Sequence, residues 1–531
     1  MKIRYNRVSK GILYSLLGLS MTLVSCEKIT DLEPNNSLSE VAALTTAERV
    51  AQAVTGVYSA AQMGDYIGTG AVRGYPFGAA NTIQQDARGE DVIAIPSFYL
   101  ITYEGTYNTT SGNNVAMWET TYAMINRANV VLEGLATAVE NNVITAEQAK
   151  AYEGEIRFLR ALGHHELLVH FARPYNHTPD ASHPGVPYRT FAVNTPAKVD
   201  EAVSQGRNTV KECYDKLIED LNFAEESLPD TRSNSLKVSR ATKGAAIALK
   251  TRIYQHANNW SKVIEEGNKL IAGTTTFTSP VGAYALTPAP ATPFVLANNY
   301  TNSESIFSIE NNTNRNSGTN GALGAMYNIA PGRVLIALSP IIWNASFWLE
   351  NDLRRTTLAV SNGRGYFTTK YKDPQTWTDA NPIIRYAEVL LNVAEAHART
   401  ADLGKAVDLL NAVRNRSVTD ASKQYTSSSF SSGIELTQAI LNERRIEFLA
   451  EGKRWGDIHR LAKDPNFSTS GVPSKVSWAN TTIASWNATT PYTGTRGVTA
   501  IPYEDYRFIW PIPESELNAN PILKGEQNPD W

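Results

Sequence analysis

Long stretches of the chain repeat their apolar positions every three or four residues, the pattern of helices with one buried face. Residues 45–62 carry Val50, Val54, Val57 and Tyr58 on one side, and 115–135 (VAMWETTYAMINRANVVLEGL) form a second such stretch. The third covers 146–171. Thr145, with Gln148 three residues on, gives it a capping-box start. Ile156, Leu159, Gly163 and Leu167 make one stripe, and Phe158, Leu162 and Val169 a second, so this helix is expected to be buried on a wide face. Further helices are predicted over 209–227, 240–258, 260–271, 383–399, 403–416 and 436–461.

Several helices come in pairs with short joints, as in GAAIALKTRIYQHANNWSKVIEEGNKLI and IRYAEVLLNVAEAHARTADLGKAVDLLNAVRNR. The first helices are Ala-rich, and Trp260 and Ala406 fall early in the second helices at nearly the same offset. Such pairs resemble degenerate tetratricopeptide repeats, which bury their faces only by stacking on neighbours. The expected fold is mostly α, with tetratricopeptide-like pairs in a right-handed superhelical scaffold and long irregular loop insertions. The insertions are 64–114, rich in Gly, Tyr, Asn and Thr, and 274–379, the longest poorly periodic region. Loops of this length in a compact protein are usually functional. The second break divides the chain into an N-terminal region, 26–272, and a C-terminal region, 273–531.

The N-terminus reads as an address. Residues 1–10 are basic, and 11–25 (GILYSLLGLSMTLVS) are apolar with small residues. As a helix this run spans ~22 Å, short of a ~30 Å hydrocarbon core, so it reads as a signal peptide of residues 1–25. It ends in Leu23-Val24-Ser25-Cys26, a bacterial lipobox pattern in which Cys26 is acylated; an ordinary signal peptide beside an incidental cysteine is the alternative. More than one acyl chain gives stable anchoring. The polar stretch 27–34 is a tether.

Net charge is −3, and −7 without the basic leader. No basic run follows it, which argues against a nucleic-acid partner. The second cysteine, Cys213, sits on the apolar side of VKECYDKLIEDL and is read as a small buried hydrophobe rather than a reactive thiol.

In HHELLVHF, His165 and His170 are five apart, which turns their imidazoles ~140° from each other on a helix. A zincin needs four, so core or surface histidines fit better and no metal is expected. Glu447 and Glu451, in ERRIEFLAEGKRWGD, have the spacing of a carboxylate pair on a helix and suggest a surface glycosidase. Arg444, Arg445, Lys453 and Arg454 crowd them, so a structural ion network fits better, with Glu155, Arg157 and Arg160 as candidate partners. GTGAVRG at 68–74 is not a dinucleotide loop, and the P-loop and nucleophile-elbow patterns do not occur; no cofactor is expected.

Five blocks carry a family resemblance: EIRFLRALGHHELLVHFARPY, RATKGAAIALKTRIY, IRYAEVLLNVAEA, ILNERRIEFLAEGKRWGDIHRL and the tail WPIPESELNANPILKGEQNPDW. In this order, with the lipobox, they resemble the SusD/RagB family. Asp530 departs from the pattern, where the family often has Gly before the final aromatic. The resemblance implies a non-catalytic lipoprotein on the outside of the outer membrane. It implies a lid over a SusC-like, TonB-dependent β-barrel transporter that captures glycan, or in some members peptide, for import.

Sugar recognition needs aromatic platforms beside amide or charged groups. Both loop regions offer them: Tyr99, Tyr103 and Tyr107 in the first, and Tyr300, Tyr327, Trp343 and Trp348 in the second. Each is a candidate ligand contact, and for each the competing reading is a place in the loop's own small core. Tyr99, Tyr103 and Tyr107 also have the spacing of one face of a short helix. Trp118 and Tyr122 open a periodic helix and read as core.

Overall fold

Side-chain caps set where the scaffold helices begin. The computed structural model describes residues 44–64 and 73–531; the leader, Cys26 and the tether lie outside the described residues. Thr145 Oγ1 accepts from Gln148 N at 3.1 Å while the Gln148 side chain accepts from Thr145 N at 3.0 Å, closing the expected capping box. Thr209 and Glu212 repeat it. Each such cap satisfies a donor the helix cannot, for about 1 kcal/mol.

The main helices are α1 (Ala47–Met63), α2 (Ala79–Ala87), α3 (Gly112–Glu140), α4 (Ala146–Phe171), α5 (Val210–Ser227), α6 (Lys243–His256), α7 (Trp260–Asn268), α8 (Tyr386–Arg399), α9 (Leu403–Arg414), α10 (Gly433–Glu447) and α11 (Arg454–Arg460). From α3 to α9 each packs on the next, and α1 packs on α3. The α6–α7 and α8–α9 joints are built alike. Asn258 and Ala401 sit in the left-handed region at φ 55° and 67°. The next residue, Asn259 or Asp402, then caps the second helix by accepting from the backbone three residues on. The long insertion does not interrupt the stack: α7 packs directly on α8. A Cβ on Gly267 would lie 2.1 Å from Val393, so only glycine permits that approach. Cys213 is fully buried, its thiol pointing at the Val186 carbonyl, and burial pushes it up to about 12.

The insertions are tied to the stack by short antiparallel ladders. Val92–Ala94 (β1) pairs with Ile336–Leu338 (β3), Ser305–Ile309 (β2) with Asn381–Arg385 (β6), and Ala359–Ser361 (β4) with Tyr366–Thr368 (β5). This corrects the predicted helix 383–399: Ile383 and Ile384 belong to a strand, and the helix starts at Tyr386.

The predicted helix 436–461 is also two helices. α10 ends at Glu447, and α11 begins at Arg454 after Ala450 and Gly452 at φ 65° and 71°. The cause lies in the carbonyls. Lys370 Nζ and Arg385 Nη2 donate to the Glu447 carbonyl at 2.7 and 3.2 Å, and the Tyr371 hydroxyl to that of Ala450 at 2.7 Å. Side chains from the insertion thus hold groups that a continuing helix needs.

The same cations build the ion network expected around Glu447 and Glu451, with different partners. Arg385 bridges Glu447 (2.9 Å), Glu451 (2.8 Å) and Glu304. Arg416 and Arg354 reach Glu447 at 2.6 and 3.0 Å, and Lys370 reaches Glu451. Glu155 and Arg160, proposed as partners from sequence, pair elsewhere: Glu155 with Arg232 and Arg240, Arg160 with Asp220. Arg157 likewise pairs with Glu153 and Asp220. Burial pushes the Glu447 carboxyl up, but Arg416, Arg385 and Arg354 outweigh it and hold it below its ordinary value. Removing this charge leaves three guanidiniums partly unmatched in the core. Glu447→Gln is expected to cost about 3–5 kcal/mol, read from the urea midpoint.

Candidate functional site

The β1–β3 ladder decides where the two insertions meet. Val92 faces Leu338 and Ala94 faces Ile336, and Ile95 N donates to Leu335 O at 2.9 Å. Residues 96–99, leaving β1, therefore lie beside 333–335, entering β3. A second contact brings up the other wall. Gly74 has φ 78°, and a Cβ there would lie 2.6 Å from Gly321 O. This backbone contact sets Arg73 beside Asn320. The result is a cleft of about 180 Å³ walled by Arg73, Pro96, Ser97, Phe98, Tyr99, Asn320, Met326, Arg333 and Leu335.

Phe98 is the cleft's accessible aromatic, 36% exposed. Its ring meets Tyr99 edge-on at 5.6 Å, and the Arg73 guanidinium stands 5.1 Å from its centroid. Arg333 donates to Asn320 Oδ1 at 2.7 Å. Burial pushes the Tyr99 phenol up, while Arg333 and Arg73 pull against that shift.

Two other concavities fit a sugar less well. A larger groove of about 310 Å³ runs along α3, but its amides are engaged internally. Asn126 exchanges hydrogen bonds with both backbone groups of Val193, and Asn129 Nδ2 donates to the Arg189 and Phe191 carbonyls. A central cavity lined by His165, Glu166, Arg252, His256 and Lys453 has about 50 Å³, room for a few waters.

The comparisons with known proteins bear on what this cleft belongs to. A family model described as "Starch-binding associating with outer membrane" matches residues 30–255, and one described as "SusD family" matches 354–531. SusD-like protein P2 of Formosa agariphila is 27% identical over 67% of this chain and 73% of its own length. A solved SusD superfamily structure from Bacteroides fragilis superposes with a TM-score of 0.73 at 27% identity, covering 90% of this chain and 99% of that one. A solved laminarin binding SusD-like protein shares the fold, with a TM-score of 0.66 at 20% identity, covering 92% and 100%. The chain belongs to the SusD family. Within this SusD-like protein the cleft takes one wall from the first matched segment, while Asn320, Met326, Arg333 and Leu335 come from 256–353, between the two.

The structure moves most aromatics named from sequence into the core. Tyr103 is 1% exposed and donates to the Val92 and Val476 carbonyls. Tyr107, past the Gly105 stop of the short helix Leu100–Glu104, packs on Trp510 and Trp531. Tyr327 donates to Asp86 at 2.7 Å. Trp343 and Trp348 meet at 5.3 Å with the Arg355 guanidinium against both rings. Tyr300 is half-buried, and its hydroxyl exchanges hydrogen bonds with the Asn311 backbone. Apart from half-buried Tyr300, these rings are buried. Tyr99 alone of the seven lines the cleft, as buried wall. Phe98, Arg73, Asn320 and Arg333 were missed; Phe98 lies in the turn between β1 and the short helix, where no strand or helix period reports which way a side chain points.

The histidines diverge. His165 lies edge-on to His256 at 4.9 Å, whereas His170 stacks on Trp510 at 4.5 Å and bonds Asn81. Trp118 is core, as expected, packed on Tyr122 at 4.8 Å.

These placements give two predictions. Tyr103→Ala should cost about 3–5 kcal/mol in denaturant unfolding, and Phe98→Ala less than about 1 kcal/mol. The Asp86 carboxyl, buried beneath Tyr327, is pushed by burial from 3.8 up to about 7. The folded chain keeps that proton where the unfolded chain has lost it, so the stability this carboxyl contributes is greatest below 3.8 and falls as pH rises through about 7. Asp86→Asn has no proton to lose. Its melting temperature should gain on the parent's steadily from about pH 4.5 to 7.5.

Proposed function

We propose that this protein is a cell-surface lipoprotein that captures glycan in the Phe98 cleft and delivers it to a SusC-like, TonB-dependent β-barrel transporter. The observation carrying this reading is the meeting of an exposed ring with two exposed guanidiniums in one cleft of a SusD-family fold. A sugar presents apolar C–H faces and a polar rim, and a site of this make-up answers both. The outer-membrane starch-binding family description and the laminarin-binding relative of the same fold support the ligand class.

Anchoring is assigned to Cys26, after removal of 1–25, with the protein facing the cell exterior. Among the described residues no helix is long and apolar enough to cross a membrane, and an acylated Cys26 supplies the attachment. The lid role is binding without catalysis. Glu447 and Glu451, the carboxylates of the glycosidase alternative, are both fixed by buried cations, so neither is free to move a proton at a glycosidic bond.

Three measurements test this. On a combined glycan and peptide array the chain should bind glycans, and Phe98→Ala should weaken that at least about tenfold, the scale of one lost ring contact. Binding to peptides alone would transfer the cleft to peptide capture. Radiolabelled palmitate should enter the protein and be lost in Cys26→Ser. A β-barrel transporter should co-purify from detergent-solubilised membranes, and its absence would remove the lid role.

A further inference from the structure

Arg88, Arg355 and Arg414 apart, which rest on backbone carbonyls and aromatic rings, the buried arginines face carboxylates. Arg354, Arg385, Arg416, Arg444 and Arg460 each have one within 3.0 Å. The two arginines of the cleft are held differently. Arg73 is steadied by the Phe98 ring, and Arg333 by the Asn320 amide oxygen with the Met326 sulfur at 3.8 Å. All of these partners are neutral. Among the described residues no carboxylate lines the cleft and neither guanidinium takes part in an ion pair. Neutral partners fix a guanidinium in place and leave its charge uncompensated. Two such groups on one cleft, each a planar fork of donors matched to carboxylate or sulfate oxygens, make a preset anion receptor.

Resting on the reading of the cleft as a glycan site, we propose that its ligand is an acidic glycan. The anionic group, carboxylate or sulfate, sits between Arg73 and Arg333, and the sugar ring lies against Phe98. The net charge of the whole chain, acidic beyond its leader, does not oppose this. Fields from distant surface charges are screened within about 8 Å in physiological salt, so the sign of the cleft governs binding there. Docking also displaces water from both exposed guanidiniums, which strengthens the charge-assisted bonds.

The test uses the full-length chain in detergent. Its probes are polygalacturonate, alginate and chondroitin sulfate, each beside its carboxyl-reduced or desulfated form, read by affinity electrophoresis and calorimetry. At least one acidic probe should bind about tenfold or more tightly than its neutralised form. The preference should shrink as salt rises, and the uronate and sulfate arms separate the two anion chemistries. Arg73→Gln and Arg333→Gln should each remove most of the preference, and Arg333→Lys should restore part of it. Circular dichroism melts matching the parent's would exclude misfolding. If neutralised forms bind as well as acidic ones, or both glutamine variants keep the preference, the acidic assignment is overturned and the glycan reading stands. If no glycan of either kind binds while the variants remain folded, the glycan reading itself fails.

Discussion

Arg385 is 1% exposed, ends a strand, and touches three carboxylates that come from two parts of the chain. Glu304 lies beside it at the start of the paired strand; Glu447 and Glu451 come from the end of α10 and the turn after it. Taking so many charges out of water is costly, and only near-complete mutual pairing offsets that cost. The arrangement is therefore strict about geometry. It tolerates one register of β2 on β6 and one stopping point for α10. Arg416 and Lys370 close the remaining sides, so the long insertion, the strand pair and the C-terminal helices are fixed to one another at a single buried point. An apolar contact at the same place would hold as well but would permit sliding.

That constraint explains which parts of the fold could be read from the sequence. The helices α1, α3, α4, α5, α6, α7, α8 and α9 are local objects: a cap, a periodic stripe and a joint lie within one stretch of chain, and their ends fall within a few residues of the prediction. The two errors of type, Ile383–Ile384 and the break after Glu447, lie at the ion network. There the backbone follows partners far away in sequence, and ERRIEFLAEGKRW reads as one helix until Lys370, Arg385 and Tyr371 take its carbonyls. The charge density of that segment was legible; the identity of its partners was not, because any acid or base along the chain can answer a pattern.

The site was less legible for a related reason. Aromatic residues in a long insertion serve two ends, and composition does not separate them. Tyr103, Tyr107, Tyr327, Trp343 and Trp348 join the core that the insertions share with the helical stack. Once a hydroxyl bonds a backbone carbonyl or a ring closes on another ring, it no longer faces solvent. The cleft instead uses a residue exposed in a turn, Phe98, beside buried Tyr99. It also depends on a backbone contact, Gly74 against Gly321, that no periodicity reports.

The structure thus separates polar groups by whether they are answered within the chain. In the core many charges have their opposite, and the larger groove along α3 has its amides bonded to its own wall. In the Phe98 cleft the guanidiniums are held by a ring, an amide oxygen and a thioether, partners that orient them without neutralising them. A rigid scaffold held by internal ion pairs can carry unneutralised charge at its surface without collapsing onto it. The network holds Glu304, Glu447 and Glu451 on Arg385, while among the described residues Arg73 and Arg333 take part in no ion pair.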